Sequence, residues 1–333
     1  MAVYTHLSAR DIAALIAKYD VGQLVSAKGI AEGVSNSNWL IETTGNSGRA
    51  QRFILTIYEE RTKLSDLPFF LSLLDHLSAK SCPVPRTIHD REGQAYRIVD
   101  GKAAALIEFL PGVSIDQPDE GQARAVGAAL ASIHKAAGDF AGSRANDLGP
   151  AQCRALLSRC NRSDLAAIDP GLPELIDRRM DEVEADWPAH LPRSIIHADL
   201  FPDNVLILEG KVTGLIDFYF ACNDVTAYDL AVTHAAWCFS PDGTTFSADI
   251  GQALIAGYEG LRPLTSDERD ALPLLAQAAA MRFVATRAYD WIHTAADALV
   301  TRKNPMDFVN RLKFYAEAGS SAFQGPAQSG TAT

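Results

Sequence analysis

No run of about 18 apolar residues occurs in the 333-residue chain, which excludes an ordinary membrane-spanning helix. The opening MAVYTHLSARDIAALIAKYD lacks a basic start, a long apolar core and a small-residue cleavage site; it does not read as a secretion signal. Cysteine is sparse. Cys82, Cys153, Cys160, Cys222 and Cys238 are odd in number, and their spacing matches no paired metal motif. They read as scattered reduced thiols, and the expected compartment is the cytoplasm. Positive charge is also short: 30 Lys and Arg against 41 Asp and Glu give a net charge of −11. That balance supplies no basic footprint for nucleic acid. The G-x-x-x-x-G-K-[ST] spacing of a P-loop is missing, as is a glycine fingerprint between a strand and a helix. There is no internal repeat.

What remains is an ordinary globular composition, 47% hydrophobic and 21% charged, long enough for one large domain or two packed lobes. Helical spacing of Ile12, Leu15 and Ile16 predicts a first helix over 8–19. Strands are predicted at 23–31, 37–43 and 51–58, with a helix at 66–80 and further strands at 95–99 and 103–109. Pro111 and Gly112 break the chain. Beyond them helices are predicted at 119–137, 172–186, 246–259, 267–296 and 305–318. The exception is 195–218, where LILEGKVTGLI reads as two short strands about a Glu-Gly turn. The expected fold class is therefore α+β. An antiparallel sheet lobe (1–110) binds nucleotide, a mostly helical lobe (111–318) carries the catalytic and acceptor sites, and 319–333 form a flexible tail. A cleft is expected at the 109–112 join, and since one chain supplies all of it, a monomer is expected.

The chemistry concentrates in His197-Ala198-Asp199-Leu200-Phe201-Pro202-Asp203-Asn204. Phosphoryl transfer from ATP needs a group to orient the acceptor hydroxyl and take its proton, and oxygen ligands for Mg²⁺. Asp199 suits the first task. Asn204 suits the second, and so does Asp217 at the end of the apolar run Leu215-Ile216. His197 is expected to brace the loop. Taken singly, each residue is more often a cap or a surface charge; the bland reading of the whole is two capped turns. Asp229 is expected to be structural, capping a following helix. Gly29 to Asn38 spans a glycine-containing turn in which Gly33, Ser35, Asn36 and Ser37 can offer donors to phosphate. Backbone groups of Glu108 and Leu110 at the join can hydrogen-bond adenine.

The motifs HADLFPDN (197–204), IDF (216–218) and ALASIH (129–134) resemble those of the aminoglycoside phosphotransferase and choline kinase superfamily, relatives of the protein kinases. The resemblance runs from about residue 20 to 318. It implies a protein-kinase-like two-lobe fold and ATP-dependent phosphorylation of a small hydroxyl compound, with His134 mainly structural. EGVSNSNWLIET, FILTIYEER, LPFFLSLLDHL with PVP, and DFYFACNDVTAYDLA resemble the bacterial homoserine kinases of that superfamily more narrowly. This implies L-homoserine as acceptor and a place in threonine biosynthesis. An amino-acid acceptor calls for an arginine fork at its carboxylate, for which Arg282 and Arg287 are candidates. Glu32 could meet its ammonium, with Asp224 a further acidic candidate; Tyr219 and Asn223 could line the pocket. Trp237, Trp291 and Phe283 read as core. One departure stands out: Thr56 occupies the position of the third-strand lysine that binds ATP phosphates in many relatives. Lys28, Arg52, Arg61 and Lys63 are possible replacements. Choline, methylthioribose or an aminoglycoside remain alternative acceptors, and a noncatalytic pseudokinase the alternative of another class.

Overall fold

The computed structural model describes residues 5, 7–30, 36–46, 48–59, 63–294 and 302–324. Glu32, Gly33, Ser35 and Arg61 lie outside them, as do residues 325–333. The chain divides into two compact units, one of residues 1–112 with 140–142, the other of 113–139 with 143–333.

The first unit is a sheet with two helices. Helix α1 (Ala9–Ile16) starts at a capping box, in which Ser8 and Asp11 satisfy each other's backbone N–H. The hairpin strands β1 (Leu24–Ile30) and β2 (Ser37–Thr43) are followed by β3 (Gln51–Ile57) and helix α2 (Leu67–Ala79). Strands β4 (Thr87–Ile88), β5 (Arg97–Val99) and β6 (Lys102–Glu108) complete it. The order is β1-β2-β3-β6-β4, with β5 paired to β6, and every pairing is antiparallel. Alternation sends Ile41, Phe53, Leu55, Ile57, Ala104 and Leu106 to one face, where they pack with Ile12, Leu15, Ile16 and Tyr19. The opposite face carries Lys28, Leu40, Ile54, Thr56, Ala105 and Ile107, directly paired in register. Two residues are too few for a sequence pattern to betray β4.

The second unit is mostly helical: α3 (Glu120–Ala136), α4 (Pro150–Leu157), α5 (Arg162–Ile168) and α6 (Leu172–Ala185) come first. Short strands β7 (Arg193–Ile196), β8 (Val205–Leu208), β9 (Lys211–Leu215) and β10 (Cys222–Val225) follow, then α7 (Thr226–Trp237), α8 (Ala248–Glu259), α9 (Ser266–His293) and α10 (Met306–Ala318). Strands β8 and β9 form the expected hairpin. Glu209 and Gly210 at its tip have φ of 51° and 76°, as a type I′ turn requires. Helices α3 and α8 approach closely at two glycines: a Cβ on Gly127 would lie 2.0 Å from the Leu254 carbonyl oxygen, and one on Gly257 2.0 Å from that of Arg124.

Several elements differ from expectation. Helix α4 and helix α5 span eight and seven residues, too short for a clear apolar stripe. Helix α7 is buried along its whole length, so it shows no helical periodicity. Asp229 lies in its first turn rather than capping it, the cap position being Val225. Residues 319–323 fall in the expected tail, yet Gly319–Phe323 form a 3-10 turn that stacks Phe323 on Tyr315, ring centroids 5.9 Å apart. Among the described residues no helix is long and apolar enough to cross a membrane.

Candidate active site

Three side chains fix the loop after β7. Asp229, fully buried in α7, accepts the backbone N–H of His197 at 2.6 Å and of Ala198 at 2.7 Å. His134 of α3 donates its Nε2–H to the same carboxylate at 2.9 Å and meets the Tyr258 hydroxyl at Nδ1. Burial pushes the Asp229 pKa up, but these donors more than offset it and hold the carboxyl below the usual range. Trp237, at the end of α7, donates to the Leu200 carbonyl at 2.9 Å. The loop is thereby bolted to the helical core on both sides of Asp199.

His197 braces the loop, as expected. Its Nδ1 accepts the Asp199 N–H at 3.2 Å, and its Nε2–H donates to the Ile216 carbonyl at 2.9 Å. One fully buried ring thus ties Asp199 to the residue before Asp217. Desolvation lowers its pKa and keeps it neutral, the state that this pairing of one acceptor and one donor needs. Asn204 adds a second tie. Its Nδ2 donates to the Asp199 carbonyl at 2.8 Å, and its own carbonyl accepts the Ile216 N–H at 3.0 Å. With the amide nitrogen engaged, Oδ1 is the atom left for a cation.

Asp217 follows β9 in a left-handed conformation, φ 66° and ψ 54°, and begins the 3-10 turn Phe218–Phe220. Its carboxylate has no hydrogen-bond partner among the described residues. Desolvation, then the charges of Asp199 and Asp203, push its pKa up to about 7. Desolvation raises Asp199 too, against the pull of Arg282, His197 and Lys303. Buried surroundings that resist carboxylate charge while leaving the Asp217 oxygens without a partner are chemically suited to a divalent cation. Among the described residues no three His, Cys, Asp or Glu side chains gather as a metal cage. Asn204 and Asp217 could therefore hold such an ion only with oxygens from a phosphate or water.

Cationic side chains surround Asp199. Arg282, 2% exposed in α9, donates to the Ala198 carbonyl and lies 3.5 Å from the Asp199 carboxylate. It stacks on Phe283 and Phe220. Arg287 is held by Asp307 at 2.8 Å and by the Asn304 carbonyl at 3.1 Å. Both arginines thus have protein partners already. Asn223 lies in β10, where its side chain accepts the Arg144 N–H at 2.8 Å. Asp224 is likewise occupied, accepting from Asn146 at 2.7 Å and facing Arg193 at 3.3 Å. Tyr219 lies in the 3-10 turn after Asp217. Trp237 and Phe283 are core residues, whereas Trp291 is partly exposed beneath Arg302.

In the first unit, Ser37 donates to Glu59 at 2.6 Å, and Asn36 accepts the Glu59 N–H at 3.2 Å. Lys102 pairs with the same carboxylate. These side chains tie residues 36 and 37 to the chain just after β3. Thr56 donates across strands to Asn38 at 2.8 Å, so the usual lysine position carries a neutral pair. Lys28 projects from the same sheet face without a partner among the described residues; Arg52 is bound to Glu42 at 3.0 Å. Lys63 is also engaged. The Glu108 N–H is taken by the Arg86 carbonyl, while neither backbone group of Leu110 has a hydrogen-bond partner among the described residues. Reading the sequence missed the loop-anchoring role of Asp229 and the bracing role of Arg282. The apolar neighbours of a lone Asp or Arg were the only available hint of a buried anchor.

Residues 26–264 match the family model described as phosphotransferase enzyme family. The chain is 49% identical to a homoserine kinase of Gluconacetobacter diazotrophicus, covering 98% of this chain and 100% of that protein. It is 48% identical to a homoserine kinase of Acidiphilium cryptum, again covering 98% and 100%. Among solved structures it resembles amicoumacin kinase hAmiN in complex with AMP-PNP, Ca²⁺ and Ami (TM-score 0.70, 15% identity, 96% of each chain covered). It also resembles spectinomycin phosphotransferase in complex with ADP and spectinomycin (TM-score 0.69, 15% identity, 96% and 100% covered).

Proposed function

The chain belongs to the phosphotransferase enzyme family, and from that membership we infer that it transfers the γ-phosphoryl group of ATP to the side-chain hydroxyl of L-homoserine, giving O-phospho-L-homoserine and ADP. This is a step of threonine biosynthesis. The observation that carries the chemistry is the single buried His197 ring joining the Asp199 and Asp217 loops. Its fold is protein-kinase-like.

Asp199 faces the acceptor, orients its hydroxyl and takes its proton as the oxygen–phosphorus bond forms and the bond from phosphorus to the bridging oxygen of ADP breaks. Its raised pKa makes it a better base than a solvated carboxylate. Asn204 and Asp217 would hold Mg²⁺, which would draw charge from the phosphate oxygens. Lys28 neutralises phosphate in place of the lysine absent at position 56, and Leu110 offers its backbone to adenine. The cations near Asp199 favour an acceptor bearing a carboxylate over a cationic one such as choline. The protein is proposed to work as a cytoplasmic monomer.

The test is ADP release from MgATP with L-homoserine, L-serine, choline, methylthioribose and an aminoglycoside, read above the background without acceptor. Selective turnover of L-homoserine is expected; turnover of another acceptor in its place refutes the assignment. Asp199→Asn should bind ATP normally and lose about 10²–10⁴-fold in kcat. Full activity in that variant would remove Asp199 from the reaction.

A further inference from the structure

An acceptor such as L-homoserine brings a carboxylate to within a few bonds of the hydroxyl that meets Asp199. A cation must answer that carboxylate, or its desolvation weakens binding. Most of the described cations on α9, α10 and the segment between them are already committed, Arg269 to Glu259 among them. Arg282 donates to the Ala198 carbonyl and faces Asp199, and Arg287 is held by Asp307 and Asn304. Arg302 donates to the Trp291 carbonyl at 3.1 Å and stacks over that ring. Arg311 donates to the carbonyls of Asp307, Ser240 and Pro241.

Lys303 differs. It is exposed, and no carboxylate or carbonyl of the described residues meets its ammonium. Its Nζ lies 5.8 Å from the centroid of the Phe201 ring. Phe201 is two residues beyond Asp199 in the same loop and is fixed from below by Phe283, ring centroids 4.9 Å apart. The ring therefore holds a free ammonium at the loop that carries Asp199 by a weak, undirected attraction. Lysine suits this post: it is a compact charge on a flexible stem, able to leave a ring face for an anion. Lys303 is also close enough for its charge to act on Asp199.

We propose that Lys303 is the specificity residue that binds the carboxylate of the acceptor, with the Phe201 ring as its resting place. The proposal rests on the amino-acid acceptor assigned above and deepens it: the substrate class is a hydroxy acid, selected by one lysine.

The experiment compares the wild-type protein with Lys303→Met and Lys303→Arg, using MgATP and two acceptors. These are L-homoserine and 3-aminopropan-1-ol, the same chain without its carboxylate. Lys303→Met should raise KM for L-homoserine about 10- to 100-fold, the factor carried by one hydrogen bond to a charged group. Its KM for ATP should stay near wild type, and its kcat/KM for 3-aminopropan-1-ol should fall far less than that for L-homoserine. Lys303→Arg should restore most of the homoserine affinity. An unmoved KM for L-homoserine overturns the proposal, as does an equal loss on both acceptors. Absence of homoserine turnover by the wild-type protein overturns the acceptor assignment itself, and the proposal with it.

Discussion

Ala198 holds a left-handed backbone, φ 65°, between His197 and Asp199. For a residue with a Cβ this conformation costs on the order of 1–2 kcal/mol. It persists because Asp229 holds the Ala198 N–H and Arg282 its carbonyl. The conformation turns the next side chain, Asp199, out of the strand direction of β7. Two variants separate strain from packing. Ala198→Gly removes the Cβ penalty and should retain activity. Ala198→Val places a β-branched side chain where left-handed geometry is an outlier, at a site 2% exposed. It should lower stability by about 2 kcal/mol or more in urea unfolding and reduce kcat. Equal stability of the two variants would refute the strain. Nothing in the local residues asks for the left-handed backbone, since a residue with a Cβ ordinarily avoids it.

At the level of elements, α7 is the anchor of the site. A fully buried helix cannot be oriented by an apolar stripe, so its one buried carboxylate, Asp229, sets which face meets the β7 loop. Asp229→Ala leaves the His197 and Ala198 N–H groups and the His134 donor unpaired in the interior. The expected loss is about 3–5 kcal/mol, measured by urea unfolding, together with a fall in kcat as the Asp199 loop loosens. Loss under 1 kcal/mol would mean that water or a neighbour replaces the carboxylate. The hairpin of β8 and β9 was legible, since Glu-Gly between two apolar runs specifies its turn. The partners of the Asp229 carboxylate were not, because they lie 31, 32 and 95 residues away.

At the scale of the molecule, stability carries an acid-sensitive term. Asp90 accepts the N–H groups of Glu92 and Gln94, each at 2.8 Å, and pairs with Arg97. Burial raises its pKa, and those donors overcome that and hold it below the usual value. Asp229 is depressed for the same kind of reason. A carboxyl with a lowered folded pKa stabilises fully above its unfolded value of about 4 and loses that contribution as pH falls through the folded one. The contribution of Asp90 and Asp229 to the urea midpoint should therefore be intact above about pH 4 and be lost below it. Asp90→Asn keeps an acceptor for both N–H groups and removes the titration. The acid fall should be shallower in that variant, and an unchanged slope would refute the role of Asp90.

The sequence by itself determined the class of molecule and singled out the candidate trio. Strand alternation, helix caps and breaker residues are local properties, and Asp199, Asn204 and Asp217 fall within nineteen positions of one another. Spacing on one loop and one hairpin is enough to bring such groups near. The tertiary structure decided what each polar residue has left to give. Ser37 and Asn36 carry the ligand-like chemistry of a phosphate loop, yet both bind Glu59; Arg282 and Arg287 have the charge for a carboxylate, yet both meet protein partners; Lys303 is left with only an aromatic ring. A side chain's donors can be counted from its identity, but the partners that occupy them arrive from distant elements and are settled only when the chain packs.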